Sequence, residues 1–304
     1  MSTAGTARPT ALGPPSPQEP FVRRRPLTAF LLLVFGIGGT GLALPVVLDI
    51  PADPFLLLLL VALTGAALVV TRLADGPGAP RKLLSRVFLW RFGFGRWAVI
   101  LFGVPLLTLA IAAVSGTLTS PSDGWAVEIG WYLFNTLIFG ALAGNVWEEL
   151  GWAGFAQSRF MARHGLLVGS LATAVFFAGI HVPLYLQGKP TRSELALGLA
   201  VLFAVAPVYR YLLGMLLLDT GGSILAVGVQ HASWNAAQKL DAVDGGPWGW
   251  QVLAAVTLLT GLLAVGRRLQ TRTEPMGLEA QKEAARSWIA PPRPAADRTA
   301  PTVG

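Results

Sequence analysis

The sequence contains no cysteine among its 304 residues and has little charge. The lack of cysteine excludes disulfide bridges, thiolate metal ligands and a cysteine nucleophile. Charged residues make up 13% of the chain, whereas 53% of its residues are hydrophobic. Soluble domains usually carry about 25% charged residues. The charges are also densest in residues 1–27 and 267–304, so a soluble fold would lack a charged surface. The sequence therefore excludes a soluble globular protein.

The charge that is present is mainly basic, with a formal net charge of +7. Lys and Arg occur in the tails and between apolar runs, which is the positive-inside pattern of membrane proteins. This layout argues against a nucleic-acid partner and indicates a lipid bilayer. The clusters at 23–25, 72–96, 159–163 and 267–268 share one side if the number of spans is even. We therefore expect both termini to be cytoplasmic.

The apolar runs predict an all-α, polytopic integral membrane protein with about eight transmembrane helices. Each run is near the ~20 residues that a helix needs to cross hydrocarbon. The predicted membrane domain is 27–266, between disordered cytoplasmic tails at 1–26 (Pro-rich) and 267–304. The predicted spans are 27–48, 54–71, 96–115, 126–147, 166–186, 195–218, 221–240 and 248–266.

Polar residues interrupt these runs in three short clusters. Ionisable residues inside a membrane are costly and by default mark function. Residues four apart share a helix face, so His231 and Asn235 should address one volume, as should Phe177 and His181. The adjacent Glu148 and Glu149 diverge by about 100°, so at most one is expected to point at a common site. The clusters are 145–155, 177–181 and 231–235.

The chemistry of this set of side chains is hydrolytic. A carboxylate and an imidazole can take a proton from water and return it to a leaving amine. A second imidazole and an Asn amide can donate hydrogen bonds to an oxyanion. No serine lies in a recognisable nucleophile motif. The pattern therefore favours activated water over an acyl-enzyme.

These motifs resemble the CPBP family of intramembrane proteases, the CAAX prenyl endopeptidase, bacteriocin-processing and Abi-type group. The family's motifs are EExxxR, FxxxH and HxxxN or HxxxD, and the resemblance covers roughly residues 80–240. It implies that Glu148 activates water with His181, that His231 and Asn235 stabilise the oxyanion, and that Glu149 has a supporting role. It also implies a membrane-associated peptide or protein substrate and a multi-pass location in the cell inner (plasma) membrane.

The resemblance is compatible with two mechanisms, one that uses a metal ion and one that does not. The family was named as intramembrane metalloproteases, and a zinc ion would take His181, His231 and Glu148 as ligands with one open position. The chain has no HExxH motif, and the family also resembles a metal-free, glutamate-dependent mechanism. We expect no cofactor, with zinc as the alternative.

The first motif departs from the family pattern at Ala153, where the motif has Arg. An Arg there would lie i+4 from Glu149 and could pair with it. We hypothesise that Arg210, inside the sixth predicted span, takes this place from another helix. Without compensation, the chain would be a catalytically weak or inactive relative acting in binding, immunity or scaffolding. A transporter is disfavoured, because the two halves show no repeat symmetry.

The depth of the site is a second difficulty. The predicted spans place Glu148 at the cytoplasmic end of the fourth span and His181 toward the outer end of the fifth. These side chains should then lie far apart. They can meet if the run 128–163, which has few charges between its ends, forms one long helix that carries Glu148 deeper.

Overall fold

The computed structural model describes residues 19–244, 249–270 and 276–289, which fold into helices joined by short loops. Within these ranges no β-strand forms, and one isolated antiparallel bridge pairs Leu118 with Val243. The helices are, in chain order, α1 (Phe21–Arg24), α2 (Pro26–Leu48), α3 (Asp53–Asp75), α4 (Ala79–Ser85), α5 (Phe94–Ser115), α6 (125–164), α7 (166–185), α8 (Arg192–Asp219), α9 (Ile224–Ala237), α10 (Trp250–Gln270) and α11 (Leu278–Trp288).

The prediction of an all-α, polytopic membrane protein is confirmed. Six helical stretches in the described part of the chain are long and apolar enough to cross a membrane. Two of the eight predicted spans, the fourth and fifth, fall in the single stretch Trp125–Tyr185. The seventh corresponds to α9, whose 14 residues extend only about 21 Å. This is shorter than the ~30 Å of hydrocarbon in a bilayer, so the count of eight stays a prediction.

Gly165 divides the stretch Trp125–Tyr185 into two antiparallel helices, α6 and α7. Its φ of 78° and ψ of −176° lie in a region that is open to glycine and strained for other residues. A side chain at this position would also collide with Leu278 of α11. The run 128–163 is thus one continuous helix that ends near the turn, which is the arrangement that can carry Glu148 deeper.

Helix α6 widens on both sides of its glutamate pair. The turns are π-helical over Phe134–Asn145 and again over Leu150–Gln157, with one α-helical turn, Val146–Glu149, between them. Such widenings of a helix occur frequently at functional sites. Here they set the directions in which the side chains of the intervening turn leave the helix.

Small residues bring α9 close to α6. A Cβ added at Gly228 would lie 2.6 Å from the Cα of Val146, and one at Gly140 would lie 2.7 Å from the Cβ of Ala232. Close backbone approach of this kind is how helices pack when lipid surrounds them. Helix α8 packs along α7 and contacts α6 and α9, and α7 packs on α6.

A buried cluster around Arg86 joins the helices at the end of the bundle where Gly165 lies. Arg86 donates from Nε to the Gly222 carbonyl at 2.8 Å, from Nη1 to the Gly154 carbonyl at 3.0 Å and from Nη2 to Ser158 Oγ at 3.2 Å. Its guanidinium lies 5.3 Å from the centre of the Trp288 ring. Burial, and secondarily the charge of Arg159, lower the pKa of Arg86 to about 9, so it stays protonated at neutral pH. We call these five residues the Arg86 cluster.

The region predicted as a disordered C-terminal tail contains a packed helix, α11. It buries Ala285 and Trp288 against the bundle and exposes its charged residues. Gln281 accepts a hydrogen bond from the Leu166 backbone at 3.0 Å, and Lys82 donates to the Ile289 carbonyl at 3.0 Å. The bundle therefore covers the apolar face of this short amphipathic helix. Residues 1–18, 271–275 and 290–304 of the two predicted tails lie outside the described residues.

Candidate active site

The antiparallel pair α6 and α7 brings Glu148 and His181 together. Glu149 precedes the turn at Gly165 by 16 residues, and His181 follows it by 16. The two helix arms are therefore nearly equal, and the side chains return to one depth. His181 Nε2 lies 3.9 Å from Glu148 Oε1. The expectation that these groups lie far apart is wrong, because α6 continues past the point where the fourth predicted span ended.

The backbone of α7 fixes the ring of His181. Its Nδ1 lies 2.6 Å from the carbonyl oxygen of Phe177, one helical turn earlier. Because a carbonyl only accepts hydrogen bonds, Nδ1 carries the proton in this contact. In a neutral ring Nε2 is then an acceptor, and it is the nitrogen that faces Glu148.

His231 lies against both carboxylates of the glutamate pair. Its Nδ1 is 2.9 Å from Glu149 Oε1 and 3.9 Å from Glu148 Oε2. Glu148 faces His181, whereas Glu149 faces the buried Arg210. The ring of His231 lies between the directions in which the two glutamate side chains leave the helix. It is therefore close to both carboxylates.

Glu149 is fully buried and paired with Arg210, which projects from α8. Nη1 of Arg210 lies 2.8 Å from Oε1 and 2.9 Å from Oε2 of Glu149. The remaining donors of the guanidinium reach Gln157, with Nε at 3.0 Å from Oε1 and Nη2 on the same oxygen. Arg210 thus makes the contact with Glu149 that an Arg at position 153 would make in the family motif. Arg210 does not extend to the membrane surface, because it is fully buried.

Two asparagines extend the network from Glu148 toward α9. Asn145 Nδ2 donates to Glu148 Oε2 at 3.3 Å, and Asn145 Oδ1 accepts from Asn235 Nδ2 at 3.4 Å. Asn145 is buried, whereas Asn235 is half-buried. Asn235 and His231 line the same cavity, as their spacing of four residues predicted.

The site opens into a cavity of about 490 Å³ between α7, α8, α9 and the start of α10. His181, His231 and Asn235 lie in its wall with the aromatic rings of Phe177 and Trp234. Apolar side chains form the facing wall, among them Leu184, Val201, Leu202 and Val205. A few polar groups that converge on an apolar cavity are typical of a substrate site.

Zinc coordination would need His181, His231 and Glu148 as ligands. Arg210 already neutralises Glu149, and Nδ1 of His231 is bound to that carboxylate. Nε2 of His231 stays available beside Glu148 and His181, because a histidine can bind a metal with one nitrogen while the other contacts a carboxylate. In the described ranges, however, no group of three or more His, Cys, Asp or Glu side chains is arranged to hold a metal ion. Metal independence of an activity stays a prediction.

Sequence reasoning missed two polar residues that hold this site together. Gln157 is fully buried and connects Arg210 to α7, where its Nε2 donates to Ser170 Oγ at 3.1 Å. Asn145 was part of the first polar cluster, but no role was assigned to it. A polar residue inside an apolar run was the signal in both cases.

Comparison with known proteins identifies a related family. Residues 129–237 match the family model of the Rce1-like group, described as Type II CAAX prenyl endopeptidase Rce1-like. The matched segment contains all three motifs and is narrower than the 80–240 expected from the resemblance. The match confirms the resemblance to the CPBP family of intramembrane proteases and, at family level, indicates protease activity on a peptide or protein substrate in the membrane. Comparison with curated proteins gives no match.

Proposed function

We propose that this protein is an intramembrane endopeptidase of the CPBP type that hydrolyses a peptide bond with an activated water. The observation that carries the proposal is the 3.9 Å separation of Glu148 Oε1 and His181 Nε2. Two acceptors at this distance form an angle of roughly 90° at a water that lies ~2.8 Å from each. This is near the angle between the two O–H bonds of water, so one water can donate to both groups.

The proposed first step is attack of this water on the scissile carbonyl carbon. Its oxygen forms the new C–O bond, and its proton passes to the Glu148–His181 pair acting as general base. The carbonyl oxygen becomes an oxyanion. In its doubly protonated form, His231 donates from Nδ1 to Glu149 and presents Nε2–H to the cavity, and Asn235 has a second amide hydrogen beside the one given to Asn145. These two donors would stabilise the oxyanion.

The second step breaks the C–N bond. The proton held by the Glu148–His181 pair moves to the leaving nitrogen, and the products are a carboxylic acid and an amine. Glu149 and Arg210 touch neither the water nor the scissile bond in this scheme. Their ion pair holds the imidazole of His231 in place, so Arg210 substitutes for the missing Arg at position 153.

The test is cleavage of a panel of transmembrane and membrane-anchored peptides by the purified protein in lipid. Glu148→Gln should abolish cleavage while the thermal unfolding curve stays near wild type. Glu283→Gln, which changes an exposed glutamate on α11, is the matched control and should cleave as wild type. Equal cleavage by Glu148→Gln and wild type would overturn the mechanism. Absence of cleavage by both would favour the inactive, binding-only alternative.

We further propose a location in the cell inner (plasma) membrane with both termini cytoplasmic, from the positive-inside pattern. The Arg86 cluster would then lie at the cytoplasmic end, and the cavity would open beside the loop that follows α9, on the other side. Because the native chain has no cysteine, single cysteines report sidedness directly. In intact cells an impermeant maleimide should label Gln238→Cys and spare Ser287→Cys. The reverse result would invert the orientation.

A further inference from the structure

Asn145 bridges the proposed base, Glu148, and a proposed oxyanion donor, Asn235. It lies 3.3 Å from Glu148 and 3.4 Å from Asn235, and only 8% of its surface is exposed. Neither the hydrolytic scheme nor the family motifs assign it a role. It sits three residues before Glu148, at the end of the wide helical segment Phe134–Asn145.

The direction of each amide in this bridge follows from the chemistry of its neighbour. An ionised carboxylate only accepts hydrogen bonds, so Asn145 must present Nδ2 to Glu148. Its Oδ1 then faces Asn235 and only accepts. Asn235 must therefore present its own Nδ2, which leaves Oδ1 turned away and the second N–H free for the cavity. The carboxylate of Glu148 thus sets the orientation of Asn235 through one intervening amide.

We propose that Asn145 is a positioning residue that orients both Glu148 and Asn235. This inference rests on the proposed function. Asn145 touches neither water nor substrate, and it acts by holding the Glu148 carboxylate and by preventing rotation of the Asn235 amide. A rotated amide would turn an oxygen lone pair toward the developing oxyanion and would repel it.

The kinetic test compares Asn145→Ala, Asn235→Ala and the double variant. Displacement of a reacting group by about 1 Å can cost ~100-fold in rate. Asn145→Ala should therefore lower kcat by about 10- to 100-fold, with KM near wild type. Because Asn145 acts partly through Asn235, the double variant should fall below Asn235→Ala by less than the factor that Asn145→Ala shows alone. A merely structural role predicts a lower folded yield with an unchanged kcat.

Asn135 provides the matched control. It is an asparagine on the same helix, and its amide donates to the carbonyl of Trp131 in its own helix at 2.9 Å. Asn135→Ala removes an amide of the same kind that contacts neither glutamate. Its kcat should equal that of the wild type. A loss equal to that of Asn145→Ala would overturn the proposal.

A second measurement separates this proposal from the proposed function. The side-chain amide signal of Asn235, assigned by its loss in Asn235→Ala, is followed by ¹⁵N NMR of protein labelled at asparagine. It should shift in Asn145→Ala and in Glu148→Gln, and stay fixed in Asn135→Ala. An unmoved signal would disprove the orientation relay even in an active protease. A shift in a protein that cleaves nothing would support the relay and reject the protease.

Discussion

The Arg86 cluster and the candidate active site are both buried and polar, yet their hydrogen bonding differs. In the Arg86 cluster every nitrogen of the guanidinium has an oxygen partner at 3.2 Å or less. In the site, Glu148 Oε1 has no hydrogen-bond partner among the described residues, and its distance to His181 is 3.9 Å. A buried polar atom without a partner costs free energy.

The difference teaches which cluster is structural. A cluster whose donors and acceptors are all hydrogen-bonded gains no stability from a further ligand. A site that keeps acceptors and donors available gives up stability, which a bound water or substrate can restore. Glu149 and Arg210 belong structurally to the saturated kind, although they lie at the edge of the site. Their ion pair lies between the saturated hydrogen bonds of the bundle and the unsaturated groups of the site.

Loss of Arg210 should have the largest effect on stability. Arg210→Met leaves the Glu149 carboxylate uncompensated in the interior, which costs about 3–5 kcal/mol of unfolding free energy. Thermal unfolding of the protein in detergent measures it. Adding Glu149→Gln should recover part of the loss, because the unpaired charge is gone.

Two further variants sharpen the Arg210 prediction. Ala153→Arg combined with Arg210→Met returns the motif Arg to its usual position and should recover stability if that Arg reaches Glu149. Arg286→Met, which removes an exposed partner of Glu283, should leave unfolding unchanged. A normal melting curve for Arg210→Met would refute the structural role of the pair.

Asn235→Ala should affect the reaction more than the fold. Loss of one oxyanion donor costs roughly 10²–10³ in kcat, and KM should change little. The folded yield should stay near wild type, because Asn235 is half-buried and its one contact is 3.4 Å long. Asn235→Asp should keep some activity, since the family motif tolerates Asp. A collapsed yield with intact specific activity would make Asn235 a packing residue.

Arg86→Met tests whether the Arg86 cluster stabilises the fold without contributing to the reaction. It leaves the carbonyls of Gly154 and Gly222 without this partner and removes the cation beneath Trp288. A loss of about 1–3 kcal/mol is expected for unsatisfied buried groups, with kcat of the folded fraction unchanged. Unfolding and single-turnover cleavage are measured on one preparation. A fall in kcat without a fall in stability would contradict the assignment of this cluster to structure.

Chelation should have the smallest effect. Cleavage by the wild type should be unchanged after dialysis against a metal chelator, because no group of three or more His, Cys, Asp or Glu side chains in the described ranges is arranged to hold a metal ion. Loss of cleavage that zinc restores would overturn this prediction. His181, His231 and Glu148 would then have to be considered as ligands.

The sequence predicted those features that depend on local spacing. Composition gave the all-helical membrane fold, and the spacing of four residues placed His231 and Asn235 on one cavity. The position of Arg210 inside an apolar run marked it as a candidate, because an unpaired arginine there is costly. The contact it makes with Glu149 agrees with the hypothesis drawn from Ala153, although the catalytic roles remain predictions.

The features that sequence missed depend on contacts between distant segments. The charges of Glu148, Glu149 and Arg159 suggested a loop after residue 147. Inside the bundle, however, Asp75 of α3 pairs with Arg159, and Glu149 pairs with Arg210 of α8 and His231 of α9. The amphipathic α11 was assigned to a tail for a similar reason. Its apolar side has a partner surface only once Gly222 and Gly165 are in place.

The turn at Gly165 limits where residues can be inserted into or deleted from this chain. Glu148 and His181 meet because the two arms that leave the turn are nearly equal. One inserted residue in either arm would shift a side chain by about 1.5 Å and rotate it by about 100°. Insertions and deletions between 150 and 180 should therefore destroy the site, whereas the loops at 116–124 and 186–191 can vary. The evolutionary freedom of the chain lies outside this hairpin.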